Sequence, residues 1–278
     1  MLLSLQSHHI VDLYAWVDEI VPKQHLLPTG GRPCIVTPSE LITILVWGSI
    51  AANQPTLKDI YDWVNMYHRT EFPRFHSTYQ GFVAACHRSM PVCLIVLQQL
   101  FRDTAPVRIV DSTMLPVCKL KRSDSHKVAR SIARYGKNHQ GWHYGFKLHA
   151  AIDLKGALCA ISLTPANAFD AHQMIRTLNE HTKVAVGDTT YGAKVMDRII
   201  YERYGCIVIA PPHPTQKKKV AALWQNELLS YRSKIESVFD VLKNHLHLVT
   251  SFARSVRGYL VHYLRILLSY QIIALALR

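Results

Sequence analysis

The chain has 278 residues with a hydrophobic fraction of 49%, which is enough to build a folded core and excludes a disordered tail. Its formal net charge is +13. Residues 1–100 hold six basic and seven acidic side chains, so the whole positive excess lies in residues 101–278. This uneven distribution of charge favours a polyanionic partner. Six scattered cysteines without a CxxC pair argue against a zinc ribbon and against a disulfide scaffold.

The first hundred residues are predicted to be helical. Apolar spacing predicts helices over roughly 8–21, 38–52, 56–69 and 80–101, and the second of these opens with a capping box at Thr37–Glu40. No basic leader or long apolar run marks the start, so no signal peptide is expected. The region is either a module that binds DNA ends or a bundle for packing or dimerisation, and both interpretations are equally supported.

From residue 106 the pattern becomes strand-like. Short apolar runs and turn signals predict five strands, over 107–111, 145–152, 157–163, 184–188 and 206–210. Helices are predicted over 168–181, 192–204, about 221–247 and about 257–277. The order along the chain is three strands, a helix, a strand, a helix, a strand and two final helices. This order favours an α/β, ribonuclease-H-like mixed sheet flanked by helices. We therefore predict a helical region over 1–103 and a catalytic domain over 104–278. The apolar tail is expected to be a packed helix and not a membrane anchor.

Two aspartates follow predicted strands. Asp111 comes after Arg108-Ile109-Val110, and Asp188 closes the run Val184–Gly187. A carboxylate at the end of a buried strand costs free energy unless it is paired or bound to a metal. For either residue alone, an ordinary strand-end cap is the simpler interpretation.

A third acid, Glu236, lies on the amphipathic helix predicted over 221–247. At about 100° per residue, Arg232 and Lys243 fall within roughly 40° of Glu236 on the helix surface. A glutamate between two cations is either a metal ligand beside phosphate-binding side chains or part of a solvated face with an ion pair. The helix alone favours the second interpretation. Asp240, one turn later, is the competing carboxylate.

Together the three carboxylates predict a site for divalent metal. Acids at the ends of neighbouring strands, facing an acid on a helix, form the oxygen cage that Mg²⁺ prefers, and two ions about 3.5–4 Å apart can clamp a phosphodiester. Inside a basic chain, such a site favours metal-dependent phosphoryl transfer on DNA or RNA.

Several motifs resemble the DDE transposases of bacterial insertion sequences. The branch with the motif Asp-Ser-Thr-x-Leu-Pro-Val-Cys at the first acid is matched by Asp111 to Cys118. The similarity continues through HKVARSIARYGKNHQGWHYGFKLH, LTPANAFD, GDTTYG and RSKIESVFDVLKN, at 126–149, 163–170, 187–192 and 232–244. Weaker echoes reach the N-terminus, so the resemblance covers nearly the whole chain.

The resemblance implies a ribonuclease-H-like fold and metal-dependent cutting and joining at inverted-repeat ends. Carried over by position, the catalytic and metal-binding residues are Asp111, Asp188 and Glu236, with two Mg²⁺ (or Mn²⁺) ions as cofactors. The family's cations beside the acidic helix residue fall on Arg232 and Lys243, which would contact DNA. The implied partners are double-stranded element ends and target DNA, with no membrane, a homo-oligomer on DNA, and the nucleoid in a bacterial cytoplasm.

The connection after the first predicted strand is strongly basic. Seven cations stand against one acid, Asp124, and are predicted to lie along the DNA backbone: Lys119, Lys121, Arg122, Lys127, Arg130, Arg134 and Lys137. A solvated surface hairpin is the simpler alternative. Further candidates for nucleic-acid contact, each more simply read as structural or solvated, are His143, Lys147, His149, Trp142, Tyr144 and Lys217–Lys219.

Two other functions stay open from the sequence. A structure-specific nuclease with the same fold would cut DNA without joining it. A catalytically decayed DNA-binding protein would bind DNA without cutting it.

Overall fold

The structure is a computed structural model that describes residues 9–22, 36–75, 78–192, 194–212, 222–249 and 253–276. The chain forms two compact units, one built from Met1–Leu100 together with Val241–Arg278 and the other from Phe101–Asp240. The predicted Lys217–Lys219 contact lies outside the described residues.

The first unit is helical. Its helices are α1 (His9–Ile20), α2 (Pro38–Ile50), α3 (Leu57–Tyr67), α4 (Tyr79–Gln99) and α9 (Val256–Ala276), with a π-helical turn at Val241–His245. The four helices predicted in the first hundred residues are confirmed. The predicted capping box is confirmed too: the Thr37 hydroxyl accepts the Glu40 amide at 3.2 Å, and the Glu40 carboxylate accepts the Thr37 amide at 2.7 Å.

Helix α9 packs against α2 and α4 in this first unit. The sequence places it in the second domain because apolar periodicity shows that a helix is buried without showing which core receives it. Both α4 and α9 are long and apolar enough to span a bilayer by length and composition alone. Buried core helices meet the same test, and α9 carries Arg265, which is 1% exposed and donates to the Ser49 hydroxyl and the Pro55 carbonyl.

His262 on α9 is held in one protonation state by its neighbours. Its Nε2 lies 3.1 Å from the carbonyl oxygens of His247 and Leu248, and its Nδ1 lies 3.2 Å from Nη2 of Arg265. Because the guanidinium can only donate, Nδ1 accepts and Nε2 carries the proton. Burial, followed by the charge of Arg265, lowers the pKa of His262 to about 3.

The second unit is a mixed sheet flanked by helices. Its strands are β1 (Val107–Pro116), β2 (Arg134–Asn138), β3 (Gly141–Ile152), β4 (Leu158–Pro165), β5 (Val184–Val186) and β6 (Ile207–Ile209). Its helices are α5 (Asp170–Met174), α6 (Lys194–Tyr204), α7 (Leu223–Ser230) and α8 (Ser233–Asp240). The sheet order is β2-β3-β1-β5-β6, and β4 also pairs with β3. This arrangement confirms the predicted ribonuclease-H-like α/β fold.

Strand direction sets the edge on which the site forms. β1 is antiparallel to β3 and parallel to β5, and β5 is parallel to β6. β2 and β4 pair with β3 at different ends, Arg134 opposite Gly145 and Pro165 opposite Phe146. At Gly136 on β2, an added Cβ would lie 2.2 Å from the Ala166 carbonyl oxygen. Only glycine therefore lets the backbone of β2 come this close to the backbone at Ala166, just after β4.

Four elements differ from the sequence prediction. β1 is longer than predicted and β2 lies within the stretch predicted as a connection, because a short basic strand carries little apolar alternation. The helix predicted over 168–181 is α5 followed by a 3₁₀ turn, Ile175–Thr177. The helix predicted over 221–247 is broken into α7, α8 and the π turn, with Tyr231 and Arg232 between α7 and α8.

Candidate active site

Asp111 and Asp188 lie at the same level of two adjacent parallel strands. Ile109 on β1 pairs with Val186 on β5, and each aspartate follows its paired residue by two positions. Because the carboxyl ends of parallel strands meet at one edge of the sheet, the two acids come close together there.

The environment of Asp111 opposes its charge. The pKa of Asp111 is raised to about 7, mainly by burial and in addition by the negative charges of Asp188 and Asp170. The Ser112 amide, which donates to Oδ1 at 2.7 Å, and the positive charge of Arg232 act in the opposite direction. These two groups do not offset the effect of burial, so a divalent cation would stabilise the carboxylate form of Asp111 further.

Asp188 caps a 3₁₀ turn, Thr189–Tyr191. Its Oδ1 accepts the Thr190 amide at 2.8 Å and the Thr190 hydroxyl at 2.5 Å, which fixes the side chain at the end of β5. The turn carries Tyr191 into the core beside Gly187, where an added Cβ would lie 2.8 Å from the tyrosine ring. Burial, then the charges of nearby acids including Asp111, raise the pKa of Tyr191.

A fourth acid, Asp170, lies near Asp111, and it was not identified from the sequence as a candidate site residue. Its carboxylate accepts the Ser112 hydroxyl at 2.8 Å and the Lys147 ammonium at 3.1 and 3.3 Å. Lys147 also donates to the Ala168 carbonyl at 2.9 Å. Asp170 is the first residue of α5 and ends the motif LTPANAFD, which was the available signal. The network fixes the backbone next to Asp111.

His149 completes this buried layer. It is 1% exposed, its Nδ1 lies 3.5 Å from Asp170 Oδ1, and its Nε2 lies 2.9 Å from the Thr164 hydroxyl. Burial lowers the pKa of His149 to about 4, although the Asp170 charge opposes the shift. His143 lies 2.9 Å from the Asn138 side-chain oxygen. Both contacts agree with structural histidines.

Glu236 lies on α8, the helix that packs against β1. Its side chain is 59% exposed, and Arg232 Nη2 donates to Oε1 at 3.3 Å. Arg232 is also near enough to Asp111 to lower that acid's pKa. Arg232 therefore lies within electrostatic reach of two of the three predicted acids.

The sequence predicts that Lys243 shares one helix face with Arg232 and Glu236, and the structure differs from this prediction. The α-helix ends at Asp240, and Lys243 lies in the π-helical turn, which belongs to the first unit. A π-helix has more residues per turn than an α-helix, so an angle of 100° per residue does not extend from Glu236 to Lys243. Asp240, the competing acid, is the last residue of α8 and is exposed.

Within the described part of the chain, no group of three or more Asp, Glu, His or Cys side chains is arranged to hold a metal ion. Asp111 and Asp188 are close, while Glu236 is engaged by Arg232. The donor set is nevertheless carboxylate oxygen, which hard divalent cations prefer, and the raised pKa of Asp111 shows an acid that a cation would stabilise. The residues present therefore fit such an ion.

The seven cations of the basic segment 119–137 are exposed. None takes part in the ion pairs found among the described residues. Arg134 donates to backbone carbonyls, most closely to that of Ala133 at 2.8 Å, and Asp124 accepts the Tyr135 hydroxyl at 2.9 Å. The positive charges consequently face solvent.

One comparison with known proteins bears on this site. Residues 102–256 match a family model described as the transposase DDE domain. The matched stretch is more than half of the chain and contains Asp111, Asp188 and Glu236.

Proposed function

The chain belongs to the family of transposases with a DDE domain, and we propose that it cuts DNA at the inverted-repeat ends of a bacterial insertion sequence and joins those ends to target DNA. The observation that carries the proposal is the pair Asp111 and Asp188 at one edge of the sheet, with the pKa of Asp111 raised to about 7. This is an acidic site in an otherwise basic chain.

Members of this family work with divalent metal ions. We propose Asp111, Asp188 and Glu236 as the ligands, with two Mg²⁺ or Mn²⁺ ions bound between them. Bound ions supply a nucleophile at neutral pH and stabilise the charge that develops on the phosphodiester. To join the two aspartates as a metal ligand, Glu236 must break its ion pair with Arg232. This ion pair is half-exposed, so breaking it costs little free energy.

The remaining side chains position the substrate. Arg232, once free of Glu236, would hold phosphate oxygens in a bidentate contact, and Lys243 would contact DNA as a point charge. Asp170 would keep Ser112 and Lys147 in place, so that the Asp111 backbone does not shift when DNA binds.

The basic segment 119–137 would neutralise the DNA backbone. Its seven exposed cations support duplex binding, with a log-affinity slope of about −0.9 per phosphate neutralised. The triple variant K127A/R130A/R134A should therefore weaken binding equally on element-end and random duplexes and make the salt slope shallower by up to about three units. An unchanged salt slope would show that these cations do not contact the DNA backbone and that the segment is a solvated hairpin.

The proposed setting is the bacterial cytoplasm at the nucleoid, with a homo-oligomer on DNA and no membrane. The helical first unit would bind the element ends or form the dimer.

A plasmid that carries a marker between the gene's own flanking sequences tests the chemistry. With Mg²⁺, the protein should release the marker fragment and join it to a second plasmid. The substitution Asp188→Asn should abolish both products and leave duplex binding intact, because it removes a ligand charge without changing shape. Glu180→Gln is the matched control, since Glu180 is exposed and precedes β5 at its opposite end.

The same assay separates the alternatives. Cleavage without joining would identify a nuclease of this fold, and binding without cleavage would identify a decayed DNA-binding protein. Cleavage near the parent rate in Asp188→Asn would remove this residue from the set of metal ligands.

A further inference from the structure

One face of the β2–β3 hairpin displays aromatic rings to solvent. The register pairs Tyr135 with Tyr144 and Lys137 with Trp142, and alternation along the strands puts all four side chains on one face. Tyr135 is 43% exposed and Trp142 is 54% exposed, whereas Tyr144 is buried. These two exposed rings contribute little to the core, and they stand on a hairpin whose first strand overlaps the basic segment 119–137.

The exposed Tyr135 ring is held in place by its neighbours. The Tyr135 ring lies 4.9 Å from the Tyr144 ring, centroid to centroid, with the planes tilted by 52°. The Tyr135 hydroxyl lies 2.9 Å from both Ser123 Oγ and Asp124 Oδ1, to which it donates. Tyr135 is thus fixed before any ligand arrives, so ordering it on binding costs little.

A groove opens between these rings and a 3₁₀ turn earlier in the chain, Leu120–Arg122. It has a volume of about 520 Å³ and is lined by Leu120, Ser123, Tyr135 and Trp142. Leu120 is itself 43% exposed, so the groove has apolar walls on two sides. Lys137 Nζ lies 5.9 Å from the centre of the Trp142 ring at the rim.

The positive charge around the groove indicates the kind of ligand that would bind there. Seven exposed cations of residues 119–137 are grouped along the stretch that leads to this apolar groove, so the complementary ligand has an anionic backbone and flat aromatic parts. A fully paired duplex offers its phosphates but hides the base faces in its stack. An unpaired base offers both.

We infer that this groove binds an unpaired nucleobase of the DNA substrate, stacked on Trp142, while the neighbouring lysines and arginines hold the flanking phosphates. The inference rests on the proposed function and adds to it a recognition site away from the carboxylates. Along β3, Trp142 lies eight residues from Ala150, the residue paired with Asp111. At about 3.3 Å per residue this is roughly 26 Å, so the bound base lies several nucleotides from the bond that is cut.

Binding of two single strands in EDTA tests the inference without any catalysis. One is a twelve-nucleotide oligothymidylate, and the other is a twelve-unit abasic strand with the same phosphates. The protein should prefer the oligothymidylate by roughly 5- to 150-fold, the range for stacking of one base. Trp142→Ala should erase this preference, and Trp142→Phe should keep part of it, because phenylalanine retains a face for stacking.

Trp224→Ala is the matched control. Trp224 is 49% exposed in the same unit but lies on α7, outside the groove, so this variant should keep the wild-type preference. Equal affinity for both strands, or a preference that survives in Trp142→Ala, overturns the inference. So does a dimer that dissociates in Trp142→Ala with base preference unchanged, since the face is then a protein interface. Duplex binding and plasmid transfer report separately on the proposed function.

Discussion

Acidification should weaken the helical first unit through one residue, His262. The folded unit needs this imidazole neutral, because Arg265 donates toward its Nδ1 and a proton there would place two donors face to face. His262→Gln provides a matched variant that does not titrate. Its amide can donate to the carbonyls of His247 or Leu248, and its side-chain oxygen can accept from Arg265.

The magnitude follows from the two pKa values. The folded pKa of His262 is about 3 and the ordinary value is 6.5, so the folded state binds the proton less tightly than the unfolded state. Stability from the neutral ring is therefore fully present above pH 6.5 and is lost as pH falls toward 3. At about 1.4 kcal/mol per unit, lowering the pH from 7.5 to 4.5 should remove about 3 kcal/mol from the free energy of unfolding.

Urea unfolding of wild type and His262→Gln across this pH range, followed by circular dichroism, measures the effect. The difference between the two proteins should change by about 3 kcal/mol, because titrations common to both cancel. His181→Gln, at an exposed position of the second unit, should retain the wild-type dependence. A difference that stays constant from pH 7.5 to 4.5 would refute the reasoning.

Three further outcomes are expected at the second unit. Since protons compete with metal at Asp111, Mg²⁺ affinity should fall about fivefold from pH 7 to 6 and about tenfold from pH 6 to 5 in calorimetric titrations, and a flat profile would contradict this. Asp170→Asn should cost roughly 3 kcal/mol in urea unfolding because it leaves Lys147 charged and buried, and adding Lys147→Met should recover most of the loss. Gly136→Ala should lower the melting temperature and speed hydrogen exchange in β2, because its Cβ collides with the Ala166 carbonyl; unchanged exchange would argue against the close contact.

The sequence was sufficient where local signals and burial agree. Asp111 and Asp188 could be located because each closes an apolar run, and the structure brings both to one edge of the sheet. The capping box at Thr37 was equally readable, since it depends on four consecutive residues.

Other features depended on contacts that are distant in the chain. Asp170 acquires its place only when Ser112 and Lys147 meet it across the sheet, which no spacing reveals. The break before α8 also escaped prediction, because the apolar pattern runs through Tyr231 and Arg232 without a proline or glycine. A continuous helix was therefore the reasonable but incorrect extrapolation.

The divided first unit has a consequence for how the protein is made. A ribosome releases α2 and α4 early, but α9, which packs against both, is synthesised only after the whole second unit. At about 5–20 residues per second, these apolar surfaces stay uncovered for roughly 10–35 s, a period in which chaperones or aggregation compete for them. The second unit is meanwhile complete in sequence and free to fold. A chain that terminates before α9 would therefore carry every proposed metal ligand in a complete second unit, while its helical first unit would lack the helix that covers α2 and α4.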